Sequence, residues 1–117
     1  MKKFNFNFNF NFDYYDKDEF FGFLDSLDGN PAGKLVRKME FVEEYGIQES
    51  LALQWIKKID DDMYEVRESA NGLFLRVLFV KKKGDPTKYI VLWQFIKKSN
   101  KIPLKELNKA RRRKKRL

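Results

Sequence analysis

Two apolar, β-prone runs constrain most strongly what this chain can fold into. Residues 73–80 hold Leu73, Phe74, Leu75, Val77, Leu78, Phe79 and Val80, and residues 89–96 hold Tyr89, Ile90, Val91, Leu92, Trp93, Phe95 and Ile96. Between them lies Lys81-Lys82-Lys83-Gly84-Asp85-Pro86, which has the composition of a polar hairpin loop. Two strands this close in sequence predict an antiparallel hairpin. The second is apolar enough to be a central strand buried on both faces. A cation interrupts the first run. Period two puts Arg76 on the face of Phe74 and Leu78. A guanidinium there must be paired, bound to a ligand, or set at the rim of a cleft, because burying it alone is expensive.

The other segments supply a sheet and its cover. Phe4, Phe6, Phe8, Phe10 and Phe12 alternate with Asn5, Asn7, Asn9 and Asn11, which puts five rings on one face of an edge or hairpin strand. A partly disordered extension over residues 1–15 is the other reading, since Asn has poor strand propensity. Asp18 is the expected cap of a helix over residues 19–27, with Phe20, Phe23, Leu24 and Leu27 on one face. Asn30-Pro31 opens a second helix that buries Leu35, Val36, Met39 and Val42, runs to about Tyr45 and ends on Gly46. Residues 53–59 form a weak strand candidate, and residues 64–68 alternate ahead of the turn Ser69-Ala70-Asn71-Gly72. A last helix starts at Pro103 and buries Leu104, Leu107 and Ala110. The order predicts one α+β domain over residues 1–117. An N-terminal strand and helical hairpin pack on a mainly antiparallel sheet of about four strands, followed by a C-terminal helix.

Charge is distributed unevenly. Residues 97–116 carry eleven Lys and Arg against one Glu, whereas the whole chain is +8, so the part before residue 97 is slightly acidic. Such a local cationic device points to a polyanion, either nucleic acid or an anionic surface. Lys101, Lys105, Lys109, Arg111, Arg112 and Arg113 are the candidate RNA contacts, with residues 109–117 as a basic tail. A frayed, merely solubilising tail is the plainer reading. There is no Cys, so disulfides and thiolate metal sites are excluded. There is no His, which removes imidazole catalysis and argues against zinc. Asp60-Asp61-Asp62 reads as a solvated turn rather than a cation site. No metal and no cofactor are expected. No apolar run reaches the ~18 residues of a membrane span. The N-terminus lacks a signal peptide's apolar core, so a cytoplasmic protein without membrane partners is the simplest expectation.

The candidate chemistry gathers at strand ends. Glu65 and Arg67 are two apart and share a face, Arg76 lies on the next strand, and Lys97 and Lys98 end the one after. If the three strands are neighbours, these groups converge. They could hold an RNA phosphate and stabilise the added negative charge of its transition state. RNA brings its own nucleophile, the 2′-hydroxyl. The protein then needs only a base, an acid and cations. The base would be Glu65 or a lysine whose pKa neighbouring cations depress. A solvated Glu65–Arg67 pair without a catalytic role is an equally available reading.

The segments Asp62-Met63-Tyr64-Glu65-Val66-Arg67, Phe74-Leu75-Arg76-Val77-Leu78-Phe79, Ile90-Val91-Leu92-Trp93-Gln94-Phe95-Ile96-Lys97-Lys98, Lys101-Ile102-Pro103 and Glu106-Leu107-Asn108-Lys109-Ala110 occur in that order. Together they resemble the phage-derived, HigB-like branch of the RelE/ParE toxin superfamily. The resemblance implies a RelE-like fold and a type II toxin that cleaves mRNA on the ribosome, a metal-independent endoribonuclease or mRNA interferase. It also implies a cognate helix-turn-helix, HigA-like antitoxin in a higher-order complex. By position, Glu65, Arg67, Arg76, Lys97 and Lys98 fall where such toxins carry their basic, RNA-contacting residues, with Glu65 departing from the lysine-rich version. The superfamily also includes ParE-like inhibitors of DNA gyrase. That leaves a non-nuclease gyrase inhibitor, or a basic protein that only binds RNA or the ribosome, as the alternatives.

Overall fold

A computed structural model describes residues 12–117. The Phe/Asn alternation expected to form a strand therefore lies outside the described residues, except for its last ring, Phe12. The elements run β1 (Phe12–Tyr14), α1 (Lys17–Ser26), α2 (Gly29–Ala52), β2 (Ile56–Lys58), β3 (Met63–Ala70), β4 (Leu73–Lys82), β5 (Asp85–Lys97) and α3 (Leu104–Lys115). They form the α+β architecture expected, with five strands in the order β1-β5-β4-β3-β2. Among the described residues, only β1 and β5 pair in parallel.

Several element boundaries differ from those expected. Asp16, not Asp18, caps α1, and its side chain accepts the Glu19 backbone N–H at 3.0 Å. Helix α2 starts at Gly29 and continues past the expected stop. Gly46 breaks it with φ 84 and ψ 176, a backbone region open essentially to glycine alone, and helical turns resume to Ala52. The weak strand over 53–59 shrinks to the three residues of β2. The polar loop over 81–86 tightens, because Lys82 pairs with Asp85 and only Lys83 and Gly84 turn the chain. The β3–β4 hairpin turns on Asn71 and Gly72, both at positive φ, as a type I′ connection requires.

Helices cover both sheet faces. On one, α1 and α2 bring Phe20, Leu35, Met39 and Val42 onto Val66, Leu75, Val77, Phe79 and Val91. On the other, α3 brings Ala110 and Leu107 onto Met63, Leu78, Val80, Leu92 and Phe95. Strand β5 serves both faces by alternation, and a bulge changes which of its residues meet which face. Leu78 pairs with Trp93 and Phe79 with Val91, so Leu92 is the extra residue. Val91 faces α1 and α2. Two positions on, Trp93 faces α3, where an unbroken strand would have kept the two on one side. The bulge therefore sets the face on which β5 presents Phe95 and Lys97.

Candidate functional site

Strands β3, β4 and β5 are hydrogen-bonded neighbours, which was the condition for the charged groups to converge. Arg67 stands directly opposite Arg76, and Phe74 directly opposite Lys97. Arg67, Phe74, Arg76, Lys97, Lys98, Ser99 and Asn100 line a cleft of about 260 Å³. This is small against the ~300–1,000 Å³ of ordinary ligand pockets, so the cleft suits one part of a larger ligand.

Glu65 lies beneath that cleft and does not line it. Its side chain is 1 % exposed, and Arg76 Nε sits 3.6 Å from Oε2. Arg67 Nε is 3.9 Å from Oε1. Among the described residues, neither Glu65 Oε2 nor Arg76 Nε has a hydrogen-bond partner, while Arg76 Nη1 donates to the Leu75 carbonyl at 2.9 Å. Burial pushes the Glu65 carboxyl up, against the pull of Arg76, Lys97, Arg67 and Lys57. Burial also lowers Arg76, opposed by Glu65. At the cleft wall, desolvation depresses the Lys97 ammonium. Glu65 opposes that shift, and Arg76, Arg67 and Lys57 add to it. Of the two expected candidates for a base, the lysine lines the opening, and the glutamate is buried behind it within 4 Å of both guanidiniums. Arg67 completes the rim from β3 and is the more exposed of the two guanidiniums.

The basic C-terminus divides into two groups. Arg113 donates two hydrogen bonds to Glu19, at 2.6 and 3.1 Å, and one to the Leu92 carbonyl. It also lies over the Tyr15 ring. Arg111 makes a two-pronged contact with Asp60, and Lys114 pairs with Asp62, so two of the three consecutive aspartates hold the helix instead of facing only water. Lys109 caps the Trp93 ring at 3.7 Å and lies 4.0 Å from Glu19. In contrast, Lys101, Lys105 and Arg112 are exposed and have no acidic partner among the described residues. The residues expected to meet RNA are thus partly consumed in fastening α3. Among the described residues, no group of three or more carboxylates is placed to hold a metal ion, and no helix is long and apolar enough to cross a membrane.

Sequence reasoning did not single out three lining residues: Phe74, Ser99 and Asn100. The alternation that put Phe74 on the face of Arg76 was visible. Its exposure was not.

The fold and cleft define a RelE-like α+β domain with a cationic site at the ends of three strands. Over residues 22–115 the chain matches the family described as Phage derived protein Gp49-like (DUF891), and it belongs to that family. The family is RelE-like and toxin-like, of the kind found in toxin–antitoxin systems. No curated protein matches the chain.

Proposed function

We propose that this protein is the toxin of a type II toxin–antitoxin system, a HigB-like endoribonuclease that cuts mRNA on the translating ribosome. The observation that carries this reading is the convergence of Arg67, Arg76 and Lys97 on one small cleft, with a buried carboxylate bracing both arginines. In the proposed reaction the 2′-hydroxyl oxygen attacks the adjacent phosphorus and the bond from phosphorus to the 5′-oxygen breaks. Lys97 in its neutral form takes the 2′-hydroxyl proton, and its depressed pKa raises the neutral fraction near pH 7. Arg67 and Arg76 bind the phosphate oxygens as their charge grows. The Lys98 ammonium gives a proton to the departing 5′-oxygen. The products are a 2′,3′-cyclic phosphate and a 5′-hydroxyl, and the step uses no metal. Lys101, Lys105 and Arg112 add contacts to more distant phosphates. A helix-turn-helix, HigA-like antitoxin is the proposed partner in a cytoplasmic complex.

Induced expression of the wild type and of Lys97→Ala and Arg67→Ala tests the assignment. Both substituted side chains are accessible enough to leave the fold intact. The wild type should arrest growth and leave mRNA cut within codons, ending in cyclic phosphate, and both variants should be harmless. A double variant as toxic as the wild type would remove the cleft from the mechanism. DNA damage with intact mRNA would replace the nuclease with a gyrase inhibitor.

A further inference from the structure

The Phe74 ring is out of place for a structural residue. It is 50 % exposed, on a strand whose next six residues are all buried. It stands directly across from Lys97 and shares the sheet face of Arg76. Its immediate surroundings in the cleft are the cations Arg67, Arg76, Lys97 and Lys98 and the polar pair Ser99 and Asn100. No other ring packs on it among the described residues, whereas rings such as Phe79 and Phe20 are each held by several neighbours. An apolar flat surface surrounded by positive charge matches a ligand that is itself a flat apolar plate attached to an anion. An unstacked nucleotide of a single strand is such a ligand. Next to the ring, the Ser99 hydroxyl donates to the Lys101 carbonyl and keeps its acceptor capacity. The Asn100 carboxamide makes no side-chain hydrogen bond among the described residues, which leaves a donor and an acceptor for a base edge.

We infer that Phe74 is a stacking platform for one unpaired base of the bound RNA, flanking the phosphate held by Arg67, Arg76 and Lys97, with Asn100 beside it to meet the base edge. The inference rests on the reading of the cleft as an RNA site and adds a base subsite to it. Stacking tolerates any base, so Phe74 supplies affinity and placement. Discrimination among bases falls to Asn100.

The test is binding of the full chain to a short single-stranded RNA made uncleavable by 2′-O-methylation and carrying 2-aminopurine, whose fluorescence falls when it stacks on a ring. Wild type, Phe74→Ala, Phe74→Leu, Phe74→Tyr and Arg67→Ala are compared across a salt series. Wild type and Phe74→Tyr should quench the probe. Phe74→Ala and Phe74→Leu should not quench it and should bind roughly 5- to 150-fold more weakly, the range for loss of one stacked base. Their salt dependence should match that of the wild type, because no phosphate contact is lost, while Arg67→Ala should flatten it. Affinity and quenching unchanged in Phe74→Ala, with Arg67→Ala weakened, would overturn the platform and leave the phosphate site standing. A wild type that binds without quenching, as a contact through charge alone would, also overturns it. Failure of every substitution to alter binding would overturn both readings.

Discussion

Replacing Glu65 by Ala tests whether this residue is a brace or a reactive group. Its carboxylate and the Arg76 guanidinium are 1 % and 7 % exposed and 3.6 Å apart, without a direct hydrogen bond. At an effective dielectric constant near 20, two unit charges at that separation attract by about 4–5 kcal/mol. Much of this only offsets the desolvation of both ions. Glu65→Ala removes the attraction but leaves the cost of burying Arg76. Breaking one side of a buried pair typically costs about 3–5 kcal/mol, a large share of the ~5–15 kcal/mol that holds an ordinary domain together. Arg67 adds little to this figure, since its side chain is 40 % exposed and its interaction is screened. Urea unfolding of wild type, Glu65→Ala, Glu65→Leu, Arg76→Met and the Glu65→Leu/Arg76→Met double variant closes the cycle. Glu65→Ala should lose about 3–5 kcal/mol, and the double variant should lie near or above the wild type while losing activity. A Glu65→Ala protein within about 1 kcal/mol of wild type would refute the bracing argument, because Arg76 would then be solvated or partnered elsewhere.

Other outcomes follow from the same physical reasoning. Burial pushes Glu43 up to about 7, with the Phe12 N–H pulling down and Glu40 pushing up; Tyr14 and Tyr89 also face it and are themselves raised to about 12. A raised carboxyl pKa means that the native state binds the extra proton, so the stability contributed by Glu43 is fully present below the unfolded pKa of 4.5 and declines as pH rises through 7. Glu43→Gln keeps the acceptor for Phe12 and should remove about 3 kcal/mol of that decline between pH 4.5 and 8, read from urea midpoints. If wild type and variant titrate in parallel, Glu43 is not the group responsible. Arg113→Ala should destabilise by about 2 kcal/mol through loss of its bidentate Glu19 contact and its place over Tyr15. Arg112→Ala, exposed, should change stability by less than about 0.5 kcal/mol, and equal thermal shifts for the two would contradict the division of the basic helix. Gly46→Ala meets no atom within 4 Å but must adopt a glycine backbone region, so a cost of about 1–3 kcal/mol should appear from strain alone; a neutral result would mean that the break in α2 relaxes freely.

The hairpin and its cation were legible because each depended on local pattern. Alternation put Arg76 on the face of Phe74 and Leu78, and the turn expected over Ser69-Ala70-Asn71-Gly72 was legible in place, although it contracts to Asn71-Gly72 because Ser69 and Ala70 pair with Phe74 and Leu73. The stop at Gly46 was legible for the same reason, although the resumption of helix beyond it was not. Asp18 was the expected cap, but Asp16 takes that place because its side chain is the one that accepts the Glu19 N–H. The apparent tail at residues 109–116 could not be divided from sequence. Its acidic partners Glu19, Asp60 and Asp62 lie about 50 to 94 positions away along the chain.

By itself, the sequence determined an α+β domain with a cation set into an apolar strand, because residue type and period two or 3.6 act over a few neighbours. Tertiary structure decided how the site is assembled. The bulge at Leu92 moves Lys97 onto the face of Arg76, and an unbroken strand would have turned it towards α1 and α2. Pairing of β3 with β4 sets Arg67 beside Arg76, and burial puts Glu65 behind them, 3.6 Å from Arg76, and not at the cleft wall. A one-residue offset in register reverses every side chain after it, and no local preference in the sequence records that offset.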